Sequence, residues 1–295
     1  MTEPVVVGLD IGGTKTHVRV ETLAGEPVAE AVEPSGDWAA APVAAAADWI
    51  RAAVGRHAAA GVVAIGAGAQ GCDTEEHCHA LEAALRAAAG VPATVTNDAA
   101  LLVPAAGLAH GIGVIAGTGS IAVAVGPDGG LDFAGGWGWV IGDEGSAPAL
   151  VREAVRAALT RHDAGGSADV LLPMLIEAFG VDGPTGLART VNDNTEAGHW
   201  AARAPAVFAA AEAGSADARA VIRAGGASLA GLVDVLLGKG ASGDVVAAGG
   251  VMTSQPALYA AFRDRVPAHL SVHLLDAPPV TGAVALARRH LAPPS

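Results

Sequence analysis

Short apolar runs and longer Ala-rich stretches alternate along the chain, and this pattern predicts strands that alternate with helices. In the first third of the sequence, apolar runs between turn residues predict strands over Val5–Asp10, His17–Thr22, Pro27–Glu33, Val62–Ala67 and Ala93–Thr96. Apolar residues at helical spacing predict helices from Trp38 to about Ala60, over Glu75–Ala89 before Gly90, and over Ala99–Leu108.

The same order of elements then begins again. Three apolar runs predict strands over Gly113–Ala116, Ile121–Val125 and Leu131–Ala134. A long helical region from about Ala147 to Leu237 follows. The remaining pattern predicts strands over Val245–Ala248 and Ser271–Leu274, and helices over Pro256–Arg265 and Thr281–His290. Because strands and helices alternate, the fold class is α/β.

Two halves with one order of elements predict two ribonuclease-H-like domains around an interdomain cleft, with a helical insertion in the C-terminal half. The boundary is expected between about Leu102 and Gly111, which gives domains over 1–107 and 108–295. The last helix is a candidate to pack back on the N-terminal domain. The repeat is one of topology and not of sequence.

Composition limits the classes of function. The chain has 295 residues, 52% of them hydrophobic and 16% charged, which is enough for a large core. Its net charge is −13, and Arg288-Arg289 is the one small basic cluster, so we expect no nucleic-acid partner. Mean hydropathy is +0.43, but no uninterrupted apolar run of about 18 residues suggests a membrane span. The segment Met1–Pro4 lacks the features of a signal peptide, so we expect a cytoplasmic protein.

Two cysteines, Cys72 and Cys78, lie close together with His77 and His79 beside them. They lack the usual Cys-x2-Cys pairing of a zinc site and a second group of ligands elsewhere. A disulfide is unexpected in a cytosolic protein. We therefore interpret this stretch as a loop that enters a helix and carries incidental thiols.

Two glycine turns carry the main chemical signal. Each of the segments Gly8–Thr16 and Ile115–Ser120 follows an apolar run and precedes another, so each reads as a strand, a tight turn and a strand. Glycine has no Cβ, and such a turn lets backbone N–H groups and nearby hydroxyls approach an anion. One turn in each half predicts a nucleotide held between two similar domains.

These hairpins resemble the phosphate-1 and phosphate-2 hairpins of the sugar kinase/Hsp70/actin superfamily. Together with Thr96–Ala99 and Gly135–Ser146, they look most similar to the N-acetylglucosamine kinase branch, which includes the activator ATPases of benzoyl-CoA reductase. The motifs extend from Gly8 to Gly282, so the resemblance covers essentially the whole chain. It implies an ATP- and Mg²⁺-dependent enzyme that phosphorylates an amino sugar, in the first place N-acetylglucosamine to its 6-phosphate. It also leaves a homodimer possible.

The resemblance assigns the nucleotide and metal contacts residue by residue. It implies phosphate contacts by Gly12, Gly13, Thr14, Lys15, Gly117, Thr118, Gly119 and Ser120. It also implies adenosine contacts by Gly249 and Gly250 after a strand, and more weakly by Gly214. Asp10, at the end of the first strand, is the implied Mg²⁺ ligand, often through water.

Asp98 is the expected general base, because it ends a strand at the interdomain edge and the family places this aspartate beside the accepting hydroxyl. Asn97 is expected beside the substrate. Either residue is also a good N-cap for the following helix, and both roles are compatible if Asn97 caps while Asp98 accepts the proton.

The sugar wall is expected in Gly135–Ser146, where Gly136 and Gly138 free the backbone, Trp137 offers a flat apolar face and Asp143 accepts a sugar hydroxyl. Trp139 is the better candidate for a core residue. Two departures from the family, Asp37 and Gln70, are expected at the 2-substituent of the sugar.

Because a carboxylate at Asp37 suits a free amine, the acetamide and amine readings both stay open. A glucosamine kinase is therefore one alternative. A sensor that binds nucleotide and sugar without transfer is another.

Overall fold

Two five-stranded sheets form the framework of the protein in a computed structural model, which describes residues 3–166 and 169–291. The strands of the first sheet are β1 (Val5–Ile11), β2 (Lys15–Thr22), β3 (Pro27–Pro34), β4 (Val62–Ala69) and β5 (Ala93–Thr96). The strands of the second are β6 (Gly111–Ala116), β7 (Ser120–Val125), β8 (Leu131–Gly135), β9 (Val245–Ala248) and β10 (Val272–Leu274).

Both sheets have the same strand order, β3-β2-β1-β4-β5 in the first and β8-β7-β6-β9-β10 in the second. In each, the first three strands in the chain pair antiparallel, and the last two run parallel to the central strand. This repeated order confirms the predicted fold class, α/β with two ribonuclease-H-like halves.

Helices surround the two sheets. The first half contains α1 (Val43–His57), α2 (Glu75–Ala89) and α3 (Leu102–Ala105), with a 3₁₀ turn over Asp98–Leu101 before α3. The second half contains α4 (Ala147–Asp163), α5 (Leu171–Phe179), α6 (Pro184–Asp193), α7 (Ala197–Ala201), α8 (Ala204–Glu212), α9 (Ala216–Gly238), α10 (Gly250–Ser254), α11 (Pro256–Arg263) and α12 (Val280–Arg289). The predicted helical insertion thus consists of α4 to α9.

Two predicted helices differ from the structure by three or more residues at an end. The helix expected from Trp38 begins only at Val43, because Pro42 disfavours helical geometry in the residue before it. Trp38 lies in the loop instead and packs edge-on against Trp49 of α1, with ring centroids 5.1 Å apart. The helix expected over Ala99–Leu108 begins as a 3₁₀ turn and ends at Ala105.

The long helix α9 forms part of the core of the second half. By length and composition alone it could cross a membrane, with a mean hydropathy of 1.6 over its most apolar window. However, its residues Val221, Leu229 and Val233 are buried in that core. A helix whose apolar face packs inside a protein has the same composition, so burial accounts for this sequence.

The last helix, α12, packs on the first sheet although it follows the second sheet in the chain. A Cβ on Gly8 of β1 would lie 2.7 Å from the Val284 nitrogen, and one on Gly66 of β4 would lie 1.9 Å from the Ala283 carbonyl oxygen. Val284 is buried there beside Val6. The two glycines therefore allow α12 to approach β1 and β4 closely.

Candidate active site

The first glycine turn joins β1 to β2 and is stabilised by hydrogen bonds within the protein. The Gly12 N–H donates to the Lys15 carbonyl oxygen at 3.1 Å. The hydroxyl of Ser35 donates to the Gly12 carbonyl oxygen at 2.6 Å. The side chains of Thr14 and Lys15 are exposed. The turn therefore presents a backbone without bulky groups, a hydroxyl and an ammonium to an approaching anion.

The backbones of Asp10 and Asp98 both adjoin Gly68 near the end of β4. Asp10 is the register partner of Gly68 in the parallel pair of β1 and β4. A Cβ on Gly68 would lie 3.0 Å from the Cα of Asp98. The fold thus brings the predicted metal-binding carboxylate and the predicted base to the same edge of the first sheet.

Burial changes the acidity of both carboxylates. It raises the pKa of Asp10 to about 7; the charge of Asp98 adds to this rise and the ammonium of Lys15 opposes it. Burial also raises the pKa of Asp98 to about 6, and the charge of Asp73 acts in the same direction. Carboxylates held close together in a partly buried site favour a bound cation or a proton.

The turn that carries Asp98 is capped by Asn97. The Asn97 Oδ1 accepts from the Ala99 N–H at 2.9 Å, and the Asp98 Oδ1 accepts from the same N–H at 3.0 Å. The Asn97 Nδ2 donates to the Cys72 carbonyl oxygen at 3.3 Å and to the Asp73 Oδ1 at 3.1 Å. The structure thus gives Asn97 the capping role and leaves its predicted substrate contact without a free amide donor.

The same turn lies where the two sheets meet. Ala99 and Ala100 pack against Val123 of β7 in the second sheet. Asp98 therefore lies at the junction of the halves, where a ligand between them would reach it.

The second glycine turn, between β6 and β7, is also stabilised by hydrogen bonds within the protein. The Gly117 carbonyl oxygen accepts from the N–H of Ala147, the first residue of α4, at 2.8 Å. Ser120 is buried and its hydroxyl donates to the Glu144 carbonyl oxygen at 3.1 Å. Thr118 is exposed. The exposed Thr118 hydroxyl is thus available to a phosphate, whereas the predicted contact by the Ser120 hydroxyl competes with an internal hydrogen bond.

Asp143 reaches this second turn from the loop after β8. Its backbone is left-handed, with φ of 54°, which is uncommon for a residue other than glycine. Its Oδ1 accepts from the Gly138 N–H at 3.1 Å, and its Oδ2 lies 3.1 Å from the position of a Cβ on Gly119. Burial raises its pKa, and the N–H groups of Gly138 and Ser120 oppose this. The predicted sugar-binding carboxylate therefore lies beside the second glycine turn.

The two tryptophans of this loop have different surroundings. Trp137 is 76% exposed and stands between Gly136 and Gly138, which both have a positive φ. Trp139 packs on Trp200, with ring centroids 5.0 Å apart, at the edge of the second core. Trp137 is thus available to a ligand, and Trp139 has the core role that the sequence suggested.

The predicted adenosine glycines lie next to the second turn. Gly249 has φ of +100°, and a Cβ there would lie 2.4 Å from the Ala116 carbonyl oxygen. The nitrogen of Gly250 lies 3.6 Å from the position of a Cβ on Gly117. Gly214, with φ of +104°, turns the chain between α8 and α9.

A cavity of about 410 Å³ is bordered by the end of α8, the first turns of α9 and the start of α11. Its lining includes Phe208, Glu212, Arg219, Ile222, Arg223 and Gln255. Gly214 lies between α8 and α9, and α10, which begins at Gly250, directly precedes Gln255. The volume is in the range of small-ligand sites. The cavity is therefore a candidate position for the nucleotide base.

The two residues expected at the sugar 2-substituent are both exposed. The Asp37 Oδ1 accepts from the Trp49 Nε1 at 3.3 Å, so this carboxylate contacts α1. The Gln70 Oε1 lies 2.5 Å from the position of a Cβ on Gly13, so the Gln70 side chain lies over the first glycine turn. The Gln70 carbonyl oxygen accepts from the Trp38 Nε1 at 3.2 Å.

The donor set near the first turn fits Mg²⁺. This ion takes oxygen ligands, keeps several waters, and binds through one or two carboxylates together with phosphate oxygens. Asp10 supplies a carboxylate of raised pKa beside the glycine turn. Within residues 3–166 and 169–291, no group of three or more His, Cys, Asp and Glu side chains could form an all-protein metal site. The residues present therefore suit an ion that nucleotide phosphates help to hold.

Sequence reasoning assigned no role to Ser35, Thr16 or Asp73, although the structure connects all three to the site. Thr16 and Ser35 are both buried, and their hydroxyls lie 3.0 Å apart. Their signal was weak, because a serine after a strand and a threonine within one are common. Asp73 stands directly before the N-cap of α2, so an ordinary helix start would explain it.

Comparison with known proteins gives a consistent picture. Residues 7–284 match the model of the BadF/BadG/BcrA/BcrD ATPase family. An N-acetylmuramic acid/N-acetylglucosamine kinase of Clostridium acetobutylicum is 30% identical over 174 residues, which cover 56% of this chain and 57% of that protein. The match thus extends over little more than half of that relative.

Solved structures match over nearly the whole chain. A candidate N-acetylglucosamine kinase from Chromobacterium violaceum is 26% identical, with a TM-score of 0.70 over 97% of this chain and 99% of that one. A glucokinase of the ROK family from Streptomyces griseus, crystallised with glucose and AMPPNP, is 19% identical, with a TM-score of 0.57 over 97% and 98%. The second likeness shows a shared fold.

Proposed function

This chain belongs to the BadF/BadG/BcrA/BcrD ATPase family, and we propose that it transfers the terminal phosphate of ATP to the 6-hydroxyl of N-acetylglucosamine. The observation that carries the proposal is that Asp10 and Asp98 both adjoin Gly68, next to a glycine turn whose Thr14 and Lys15 side chains are exposed. One carboxylate is then available for a cation and the other for a proton. The similarity to kinases of amino sugars supports the choice of substrate.

Asp98 acts as the general base in this proposal. Its pKa of about 6 leaves most of it ionised at neutral pH, yet keeps it basic enough to accept a proton as the hydroxyl attacks. Its Oδ1 accepts from the Ala99 N–H, which fixes the carboxylate and leaves Oδ2 for the substrate.

The two glycine turns bind and orient the phosphates. Thr14, Lys15 and Thr118 are exposed at the turns, and the backbone of each turn can come close to phosphate oxygens. Mg²⁺ held through Asp10 would neutralise charge on the transferring phosphate. Trp137 provides an apolar face for the sugar ring, and Asp143 binds a hydroxyl close to the second turn.

The acetamide substrate is favoured over the free amine by the surroundings of Asp37. Its carboxylate already accepts a hydrogen bond from Trp49. This contact explains an acidic residue at this position without an ammonium group on the substrate. Glucosamine is the second candidate, because Asp37 remains exposed and its other oxygen could bind an ammonium group.

The test is ADP release with ATP and Mg²⁺ over a panel of N-acetylglucosamine, glucosamine, N-acetylmannosamine and glucose. We expect turnover with N-acetylglucosamine and none with its 6-deoxy analogue, which binds but lacks the acceptor oxygen. Turnover with glucosamine alone would replace the proposed substrate by the second candidate. Nucleotide binding without turnover on any sugar would contradict the proposal and indicate a sensor.

A further inference from the structure

Asp73 lies in the loop between β4 and α2 and contacts the residue that precedes the proposed base. Its Oδ1 accepts from the Asn97 Nδ2 at 3.1 Å. Asn97 is only 4% exposed, and its second amide proton is directed to the Cys72 carbonyl oxygen at 3.3 Å. Residues that are 24 positions apart in the sequence thus form one partly buried polar contact, in which Asn97 is buried and Asp73 is exposed.

We propose that Asp73 is a positioning residue for phosphate transfer, because it fixes the orientation of the Asn97 amide and thereby the carboxylate of Asp98. This inference rests on the proposed function of the site. It adds a residue that does not itself contact the substrate.

The orientation of the Asn97 amide has a direct consequence for Asp98. The Ala99 N–H is shared between the Asn97 Oδ1 and the Asp98 Oδ1, at 2.9 and 3.0 Å. If Asn97 withdrew, that N–H would donate to Asp98 alone, and the stronger bond would turn the carboxylate and reduce its basicity. Asn97 therefore has to keep its oxygen toward Ala99.

Asp73 makes the reverse orientation of the amide unfavourable. A flipped Asn97 would bring its oxygen against the Asp73 carboxylate and the Cys72 carbonyl oxygen, which are both acceptors without a proton to donate. The amide is thus oriented by two acceptors on one side and by the Ala99 N–H on the other. The charge of Asp73 is also close enough to Asp98 to raise its pKa, which agrees with this proximity.

A structural role of the same loop has to be separated from positioning. Asp73 directly precedes Thr74, which caps α2 by accepting from the His77 N–H at 3.2 Å. Thr74 has no contact with Asn97 among the hydrogen bonds of the described residues. Thr74→Ala is therefore a matched control that weakens the same helix start but leaves the amide partners in place.

The experiment compares Asp73→Ala, Asp73→Asn and Thr74→Ala in the full chain, with kcat and the KM values for ATP and sugar. We expect Asp73→Ala to lower kcat by about 10-fold to 100-fold, while both KM values stay within about twofold, because orientation and not binding is lost. Asp73→Asn keeps an acceptor for the Asn97 amide and should restore most of kcat. Thr74→Ala should lower the melting temperature with kcat nearly unchanged.

Equal loss of kcat in Asp73→Ala and Thr74→Ala would overturn the proposal, as would a normal kcat in Asp73→Ala. A second readout does not depend on turnover. The ¹³C signal of the Asp98 carboxyl, assigned by its loss in Asp98→Asn, should shift more in Asp73→Ala than in Asp73→Asn, which loses the same charge but keeps the acceptor, and should not shift in Thr74→Ala. Equal shifts in the two Asp73 variants would show that charge alone acts on Asp98 and would overturn the proposal. If the unaltered protein phosphorylates no sugar, the proposed function fails, and this signal alone still decides whether Asp73 orients Asp98.

Discussion

The hairpins β1–β2 and β6–β7 each end their glycine turn on a buried hydroxyl, Thr16 in the first and Ser120 in the second. Thr16 lies 3.0 Å from the hydroxyl of Ser35, and Ser120 donates to the carbonyl oxygen of Glu144. In both halves the partner comes from the segment after the third strand of the sheet. In both halves a buried hydroxyl next to the turn therefore contacts the segment after the third strand, although the two sequences are not repeats.

The hairpins differ in the position just before the turn. Ile11 pairs with Thr16 and Ala116 pairs with Ser120, so Ile115 in β6 corresponds to Asp10 in β1. The second turn obtains its acidic group from the loop residue Asp143 instead. Similar backbones thus give one turn that follows a strand with a carboxylate, suited to a cation. The other turn follows a strand with an apolar residue at that position and offers the Thr118 hydroxyl itself.

The largest effect is expected when Asp98, the proposed base, is removed. Asp98→Asn keeps the oxygen that accepts from Ala99 but cannot accept a proton, so kcat should fall by about 100-fold or more with ATP binding retained. Asp276 follows β10 as Asp98 follows β5, and it is exposed. Asp276→Asn is thus the matched control for initial-rate assays, with near-normal turnover expected. Near-normal turnover of Asp98→Asn would remove Asp98 as the base.

A second prediction concerns how the buried carboxylate of Asp10 in β1 lowers the free energy of unfolding. The pKa of Asp10 is raised from 3.8 to about 7 on folding, so its ionised form destabilises the folded chain in the absence of metal and nucleotide. Asp10→Asn should therefore stabilise that chain at pH 8 by roughly 1–3 kcal/mol in urea unfolding, while activity with ATP and Mg²⁺ is lost.

The size of this stability difference depends on pH. Because the pKa is raised in the folded state, the favourable contribution of the protonated group is complete below pH 3.8 and is lost as pH rises through about 7. The stability difference between variant and unaltered chain should thus shrink steadily as pH falls from 8 toward 4. A difference that stays constant over this range would show that Asp10 does not titrate as described.

The smallest effects are expected from the hydroxyls that close the turns. Ser35→Ala leaves the Gly12 carbonyl oxygen without its donor, and Ser120→Ala does the same for the Glu144 carbonyl oxygen. Each should cost about 1–2 kcal/mol, or about 2–6 °C in melting temperature by calorimetry. If the two hydroxyls stabilise their turns equally, the losses of unfolding free energy in the two variants should agree within about 1 kcal/mol. A loss of stability in one variant alone would show that the two hydroxyls are not equivalent.

The sequence by itself determined the strands, the two glycine turns and the restart of the element order. Alternating apolar residues and glycines at fixed spacing act locally, so they can be read along the chain. The same local signals gave Asp10 and Asp98 their positions at strand ends. They failed at Trp38, where Pro42 postponed the start of the helix.

Only the tertiary structure decided which distant groups share a contact. Asp73 with Asn97, Ser35 with Gly12, and Asp143 beside Gly119 join segments about 20 or more residues apart. No periodicity encodes such pairs, because they depend on how strand ends and loops come together once the sheets have formed and their cores have packed. The tertiary structure also decides the acidity of Asp10 and Asp98, because burial and neighbouring charge, and not residue type, raise their pKa values.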